Sequence, residues 1–272
     1  MLSIVGENIH VEFPIYDHYA RSLKHTLGIR YLAKGVDRLA TKRLNVGGTI
    51  RAGATGRIVI KALDGVSFEI IEGDRIGIFG QNGAGKSTLL RTLAGIYEPV
   101  QGVIRTKGRV FPLFDLQLGM DQDATGLENI LLRGKMLGLT NKQIDQSVDD
   151  VAEFTELGKY LHMPMRTYST GMALRLAFAI STAITPEILV LDEMIGAGDA
   201  AFLAKADARL KSFLARAGIL VVASHSTSML RRWCNKAMLL EHGKLSAYGP
   251  LEDIAALYEV TVQNGVGAVS ED

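Results

Sequence analysis

The chain has 272 residues, of which 47% are hydrophobic and 22% charged, and its formal net charge is +1. This composition is typical of a globular protein with enough apolar material for one large domain or two small ones. The balanced charge points to no polyanionic partner such as nucleic acid, the single cysteine excludes an intrachain disulfide, and no apolar run reaches the ~18 residues that a membrane-spanning helix needs.

The first third of the chain predicts mainly strands. Residues 4–16 read as one strand and residues 57–70 as one or two more, while residues 17–57 break the pattern. The letters RIGIF at 75–79 predict a buried strand, and the spacing of the apolar residues from 86 to 96 predicts a helix. Alternation returns at 102–113, which predicts a further strand.

The rest of the chain predicts a group of helices, followed by strands that alternate with helices. Residues 125–183 have helical spacing, with Thr125, Asn141 and Ser169 as candidate N-caps. From 187 to about 248 strands alternate with helices, and a last helix begins near Pro250. Because an all-helical segment interrupts a core of strands and helices, we expect an α/β fold with two lobes.

A phosphate-binding loop lies between the RIGIF strand and the helix that follows it. Gly80, Gly85, Lys86 and Ser87 match the pattern G-x-x-x-x-G-K-[ST] in the strand–loop–helix context that the pattern requires. The glycines let the backbone N–H groups turn inward, and the helix N-terminus adds a positive dipole end. The motif therefore predicts a nucleotide site, formed by Gly80, Gln81, Asn82, Gly83, Ala84, Gly85, Lys86, Ser87 and Thr88.

Two later strands end in residues that suit nucleotide chemistry. EILVLDE at 187–193 predicts a buried parallel strand that places Asp192 toward Mg²⁺ and Glu193 where it can orient or deprotonate a water molecule. VVASH at 221–225 predicts a strand ending in His225, which should face the terminal phosphate. Alone, either strand could simply end in polar surface residues; beside a phosphate loop both become candidate catalytic positions.

The letters YSTGM at 168–172 precede a helix. Ser169 is a good N-cap residue and Gly171 permits a close backbone approach, so the segment suits a second anion site at a helix N-terminus. A plain helix cap is the alternative reading of the same residues.

These motifs, in this order, resemble those of the ATP-binding-cassette (ABC) ATPases over residues 4–262. GQNGAGKST looks like the Walker A motif and ILVLDE like Walker B. YSTGM looks like the family signature LSGGQ, although Tyr168, Thr170 and Met172 depart from it. GAGD at 196–199 looks like the D-loop with its acid Asp199, and His225 looks like the switch histidine.

The resemblance implies a P-loop NTPase of the ABC type, with a RecA-like core, an antiparallel β region and an inserted helical subdomain. It implies ATP and Mg²⁺ as cofactors. It also implies a head-to-tail homodimer in which Lys86 and Ser87 of one copy face Ser169 and Gly171 of the other. Lys86, Glu193 and His225 would be catalytic, and Ser87, Asp192 and the Q-loop residue would hold the metal.

Two family positions stay open on the residues alone. Gln117 is the candidate for the Q-loop glutamine, but it lies one residue from the usual spacing and Asp115 is nearby. The aromatic residue that stacks on adenine should end the first strand, where Phe13 fits first and Tyr16 second, and either could instead be a core residue.

Within the family, this chain resembles the ATPase subunits of polysaccharide exporters, which move O-antigen, capsule or teichoic acid chains. The segments that carry this resemblance are YSTGM, FPIY and TGLENI. This implies an integral membrane permease as partner, a peripheral place on the cytoplasmic face of the inner membrane, and a lipid-linked polysaccharide as cargo.

We expect one ABC ATPase domain over 1–272: a core at 4–112 and 186–262, an insert at 17–57, a helical subdomain at 113–185 and a polar tail at 263–272.

The segment 17–61 carries ten basic residues against only Asp17 and Asp37. Because Tyr19, Leu23, Leu27 and Tyr31 recur every four residues, part of it could form a basic amphipathic helix. Such a helix would suit an anionic membrane face or the diphosphate of a lipid-linked sugar chain; a solvated surface insert is the plain alternative.

Two other functions compete with an exporter subunit. A soluble ABC ATPase that acts in translation usually carries two cassettes, whereas this sequence has one. An ABC ATPase that acts in DNA repair carries a long coiled coil, and this sequence shows no sustained heptads. A cassette that binds ATP only as a structural switch often loses the acid that stands here as Glu193.

Overall fold

The computed structural model describes residues 1–14, 49–52, 58–114, 116–192, 200–224 and 226–267. Outside the described residues lie Tyr16, Asp115, Glu193, Asp199, His225 and most of the predicted insert 17–57. The chain divides into two compact units, Met1–Lys107 with Val221–Asp272, and Gly108–Leu220.

The first unit contains an antiparallel sheet with the strand order β2-β3-β1-β5. Inward-facing residues of the long central strands, such as Ile4, Ile9, Leu63 and Ile70, are fully buried. β2 falls within the predicted insert and pairs with β3, so the end of that segment belongs to the sheet. The strands are β1 (Ser3–Pro14), β2 (Thr49–Ala52), β3 (Ile58–Ile71) and β5 (Gln101–Lys107).

The same unit carries the predicted strand β4 (Arg75–Phe79) and the helix α1 (Lys86–Leu93) after it. β4 pairs in parallel with β9 (Lys236–Glu241), and β9 pairs with β10 (Lys244–Pro250) in a two-residue hairpin. Two further helices belong to this unit, α6 (Thr227–Trp233) and α7 (Leu251–Gly267). The chain enters α6 from the buried strand β8 (Ile219–Ala223).

The second unit is mainly helical. Its helices are α2 (Gly126–Met136), α3 (Asn141–Thr155), α4 (Thr170–Thr182) and α5 (Ala200–Arg216), with short 3₁₀ turns at Gly158–His162 and Met165–Thr167. It also holds the parallel pair β6 (Val110–Leu113) and β7 (Ile188–Asp192).

Aromatic and ionic contacts bind α5 to the other helices of this unit, and the helical subdomain at 113–185 stays a prediction. The Phe154 ring lies 5.8 Å from that of Phe178 and 5.5 Å from that of Phe202. Arg209 donates to the Thr182 hydroxyl at 2.7 Å and pairs with Asp150.

Three boundaries differ from the sequence expectation. The N-cap of α3 is Thr140, not Asn141, because Thr140 and Gln143 form a reciprocal capping box. The strand expected at 102–113 is two strands, since β5 pairs antiparallel with β1 and β6 pairs parallel with β7. The last helix continues to Gly267, so the first residues of the expected polar tail at 263–272 are helical.

Candidate functional site

The phosphate loop joins β4 to α1, as the sequence predicts. Gln81, Asn82 and Gly83 are exposed, whereas Ala84 and Lys86 on either side of Gly85 are buried. Gly85 is the N-cap of α1 and adopts a left-handed conformation, with φ of 106°. The exposed part of the loop therefore lies at the N-terminus of a helix, where backbone N–H groups without helical partners favour an anion.

The first and last glycines of the loop cannot carry a side chain. A Cβ atom at Gly80 would lie 2.5 Å from the carbonyl oxygen of Leu240, and one at Gly85 would lie 2.6 Å from that of Ala62. Both contacts are with backbone, which cannot rotate away as a side chain can. The loop is thus packed directly against the main chain of β3 and β9.

The turn between β9 and β10 supports the loop from behind. His242 and Gly243 both have positive φ, at 49° and 81°, as the two central residues of a type I′ hairpin turn do. The Gly243 N–H donates to the Ala84 carbonyl at 3.0 Å, and the Gly243 carbonyl accepts from the Asp64 N–H at 2.8 Å. Sequence reasoning did not single out this turn, because His-Gly is not one of the residue pairs that mark a two-residue hairpin.

Lys86 is buried with its ammonium group inside the loop. Its Nζ donates to the Gly80 carbonyl at 2.6 Å and to the Gln81 carbonyl at 3.0 Å, and the residue is 9% exposed. A buried ammonium group has few solvating waters, so it binds an anion more strongly than a surface lysine would. The loop therefore combines a cation, a helix N-terminus and inward-facing backbone.

The donor set of the loop suits a nucleotide-bound Mg²⁺ ion. Mg²⁺ keeps several waters and takes only one or two protein oxygens beside the phosphates. Ser87 supplies one such oxygen, a half-buried hydroxyl in the first turn of α1. The loop thus fits the ion that the sequence motif implies.

The two other predicted metal-site residues belong to the second unit. Asp192 is the last residue of β7 and is half-exposed, while the four residues before it are buried. Gln117 is half-buried in the turn after β6. Its carbonyl accepts from the Met120 N–H at 3.0 Å, which closes that turn.

Two buried polar side chains of α2 hold the Gln117 turn and the loop after it. Asn129, fully buried, donates to the carbonyls of Asp121 at 2.8 Å and Thr125 at 3.0 Å, and accepts from the Asp121 N–H at 2.7 Å. Arg133 donates to the Leu118 carbonyl and, at 3.1 Å, to the Ser181 hydroxyl on α4. Sequence reasoning missed both, since it read TGLENI as a helix start and a family resemblance and did not consider the side chains of Asn129 and Arg133.

Replacing Asn129 with alanine is expected to lower the free energy of unfolding by about 2–4 kcal/mol, since backbone groups of the loop would lose their buried partners. The matched control is Asn141→Ala, because Asn141 is exposed and Thr140 forms the cap, so we expect a change under about 0.5 kcal/mol. Urea denaturation of both variants measures the difference. Equal losses would contradict the role assigned to Asn129.

The signature segment YSTGM, residues 168–172, contains the exposed N-terminus of α4. Ser169 caps α4 by accepting from the Met172 N–H at 3.2 Å, which confirms the predicted cap. A Cβ at Gly171 would meet only the Ser169 hydroxyl oxygen, 4.0 Å away. Ser169 and Thr170 are exposed, so the surface around Ser169 and Gly171 is open to a ligand.

Phe13 lies near the end of β1, as predicted, and is half-buried. Its ring contacts that of Tyr97 edge to face, with the centroids 5.1 Å apart. Tyr97 follows α1 and was not among the sequence candidates. The assignment of the adenine-stacking residue to Phe13 stays a prediction, because Tyr16 lies outside the described residues.

Comparison with known proteins places these features in a family context. The family model described as ABC transporter matches residues 63–196. The O-antigen export system ATP-binding protein RfbE of Yersinia enterocolitica is 42% identical over 244 residues, which cover 89% of this chain and 96% of that protein. The resemblance drawn from the motifs is therefore confirmed.

Other relatives are longer than this chain. The O-antigen export system ATP-binding protein RfbB of Myxococcus xanthus is 38% identical over 75% of this chain but only 47% of its own length. The teichoic acids export ATP-binding protein TagH of Bacillus anthracis is 38% identical over 73% of this chain and 36% of its own length. The chain thus spans half or less of these two proteins.

Solved structures share the fold at low sequence identity. The ATP-binding subunit of an ABC transporter superposes with a TM-score of 0.62 at 18% identity, covering 95% of this chain and 94% of that one. A dimeric ATP-binding cassette with ADP and phosphate gives a TM-score of 0.60, also at 18% identity, over 91% of this chain and 98% of that one. The predicted α/β fold of the ABC ATPase type is confirmed.

Proposed function

The chain belongs to the ABC transporter family, and from this we propose that it is the ATP-hydrolysing subunit of an exporter that moves a lipid-linked polysaccharide across the cytoplasmic membrane. The observation that carries the proposal is the phosphate loop, in which the buried Lys86 ammonium lies at the N-terminus of α1. The exporter assignment is supported by the similarity to RfbE over nearly the whole length of both chains.

In the proposed reaction the phosphates of ATP replace the Gly80 and Gln81 carbonyls as partners of the Lys86 ammonium group. Ser87, Asp192 and Gln117 would hold Mg²⁺, which when bound neutralises charge on the phosphate oxygens. Glu193 accepts a proton from water while the water oxygen attacks the γ-phosphorus. The bond from the γ-phosphorus to the bridging oxygen breaks, and ADP and phosphate leave.

The remaining site residues act on the same nucleotide in this proposal. His225 contacts the γ-phosphate, and Phe13 stacks on the adenine ring. Asp199 is the D-loop acid that binds nucleotide, and Ser169 and Gly171 serve the ATP bound to a second copy of the chain. The open helix N-terminus at Ser169 supports this role, because its N–H groups are accessible to a phosphate from outside the chain.

A membrane subunit is the proposed second partner. Leu118, Leu132 and Met136 are 66%, 42% and 65% exposed, and a contiguous group of exposed apolar side chains marks a protein interaction site. Leu132 and Met136 are one turn apart on α2, and the Met136 sulfur lies against Gly119. This apolar patch follows Gln117 directly, so a cytoplasmic loop of a permease seated there would sense the nucleotide site.

The proposed location is the cytoplasmic face of the membrane, held there by the permease. Among the residues that the structure describes, no helix is both long and apolar enough to cross a bilayer. The basic segment 17–57, apart from the backbone of β2, lies outside the described residues. We propose that this segment contacts anionic lipid or the cargo diphosphate. Replacing Lys24, Arg30 and Lys34 with glutamate is therefore expected to weaken liposome binding and export.

The function is tested by tagging the protein in its native host and identifying what co-purifies from gently extracted membranes. A multi-span membrane protein at equal stoichiometry is the expected result. A ribosome, a DNA-bound complex or no partner would overturn the exporter assignment. The ATPase assignment has its own test, since Glu193→Gln should abolish phosphate release while leaving ATP binding intact.

A further inference from the structure

Tyr168, where the family signature has leucine, is tied to the 3₁₀ turn at Gly158–His162 by its hydroxyl group, which also lies beside Gly126. We propose that this hydroxyl is a positioning group for the signature motif, holding the neighbouring Ser169 in place for the ATP of a second copy. The inference rests on the proposed function, because that function makes the ATP of a second copy the ligand of Ser169.

The contacts of the hydroxyl are specific. It donates to the Tyr160 carbonyl at 2.6 Å. The two tyrosine rings meet edge to face, with their centroids 6.2 Å apart and an angle of 88° between their planes. Burial raises the pKa of Tyr168, so the group stays protonated and can donate.

A leucine at this position could not make the hydrogen bond to the Tyr160 carbonyl. The Tyr168 hydroxyl oxygen also lies beside Gly126, the first residue of α2. A Cβ at Gly126 would lie 2.5 Å from this oxygen, so glycine leaves room for the hydroxyl.

Backbone hydrogen bonds align the same two segments. The Met165 N–H donates to the Ala124 carbonyl at 2.9 Å, and the Arg166 N–H donates to the Gln122 carbonyl at 2.8 Å. Tyr168 continues this alignment to the residue before Ser169, the N-cap of α4. The start of the signature helix is therefore fixed relative to the start of α2, which also holds the Gln117 turn through Arg133 and the loop after it through Asn129.

The position of Ser169 matters because its side chain is exposed and its hydroxyl accepts from the Met172 N–H of the helix that it caps, so the two move together. A Cβ at Gly171 would meet no atom but the Ser169 oxygen within 4 Å. Since groups that act on a reacting phosphate must be placed to well within 1 Å, losing the Tyr168 hydroxyl should lower turnover without changing how one copy binds ATP.

The test compares Tyr168→Phe with Tyr160→Phe. The first removes the positioning hydroxyl and keeps the ring; the second removes a hydroxyl from the same ring pair but keeps the backbone carbonyl that Tyr168 uses. We expect Tyr168→Phe to lower kcat about five-fold, the effect of one lost hydrogen bond, with the Kd of a fluorescent ATP analogue within about two-fold of wild type. Tyr160→Phe should match wild type in both.

A second readout isolates the contact between copies. In a Glu193→Gln background, ATP-dependent dimerisation measured by analytical ultracentrifugation should weaken about five-fold on adding Tyr168→Phe and not on adding Tyr160→Phe. Equal behaviour of the two variants, or a loss of ATP affinity by Tyr168→Phe itself, would overturn the inference. If the wild-type protein does not hydrolyse ATP and the Glu193→Gln variant with both tyrosines intact does not dimerise, the proposed function is overturned rather than this inference.

Discussion

Replacing Lys86 with alanine is expected to reduce ATP hydrolysis at least about 100-fold, comparable to the loss of a transition-state donor in other enzymes. The Lys86 ammonium is buried inside the phosphate loop, where it contacts the carbonyls of Gly80 and Gln81. In the alanine variant the loop keeps its backbone N–H groups but has no cation to oppose the charge that develops on the phosphates. Phosphate release and equilibrium binding of a fluorescent ATP analogue measure the two effects separately.

The control for charge is Arg91→Ala, which removes one positive charge from the last turn of the same helix. We expect Arg91→Ala to retain hydrolysis within about two-fold, because its charge lies at the opposite end of α1 from the loop. Circular dichroism of both variants establishes that they fold. Hydrolysis by Lys86→Ala at the level of the Arg91 control would rule out the phosphate assignment for this loop.

Replacing Gly243 with alanine is expected to weaken ATP binding about ten-fold and to lower the free energy of unfolding by about 2–3 kcal/mol, through backbone strain combined with overpacking. Gly243 has φ of 81°, and a Cβ there would lie 2.7 Å from the Ala62 carbonyl oxygen. The clash would move the turn whose N–H holds the Ala84 carbonyl. ATP titration and thermal denaturation of the purified variant measure both effects.

Gly73→Ala is the matched control for Gly243→Ala. Gly73 also lies in a turn between strands and has φ of 89°, but nothing lies within 4 Å of the Cβ that alanine would add. It should show only the conformational cost of a left-handed residue, about 1–2 kcal/mol, with unchanged ATP affinity. Identical ATP affinities for the two variants would mean that the hairpin turn does not support the phosphate loop.

Features that depend on neighbouring residues were predictable from the sequence. The phosphate loop is built from consecutive residues, so its glycines, Lys86 and Ser87 were identified together with the flanking strand and helix. The caps at Thr125 and Ser169 followed because a cap bonds only within its own first turn. The cap of α3 was placed one residue late, because Thr140 and Asn141 are both suitable residue types and only the capping box distinguishes them.

The sequence by itself therefore determined the phosphate loop, because its residues are consecutive, and the order of the motifs carried the resemblance to the family that the comparisons confirm. Only the tertiary structure decided what supports these segments: Gly243 behind Ala84, Asn129 at Asp121 in the loop after Gln117, and Tyr168 at the Tyr160 carbonyl. These partners meet through the packing of separate elements and follow no periodic pattern. The physical reason is that a hydrogen bond requires a distance and an angle, which sequence spacing does not specify once the chain folds back on itself.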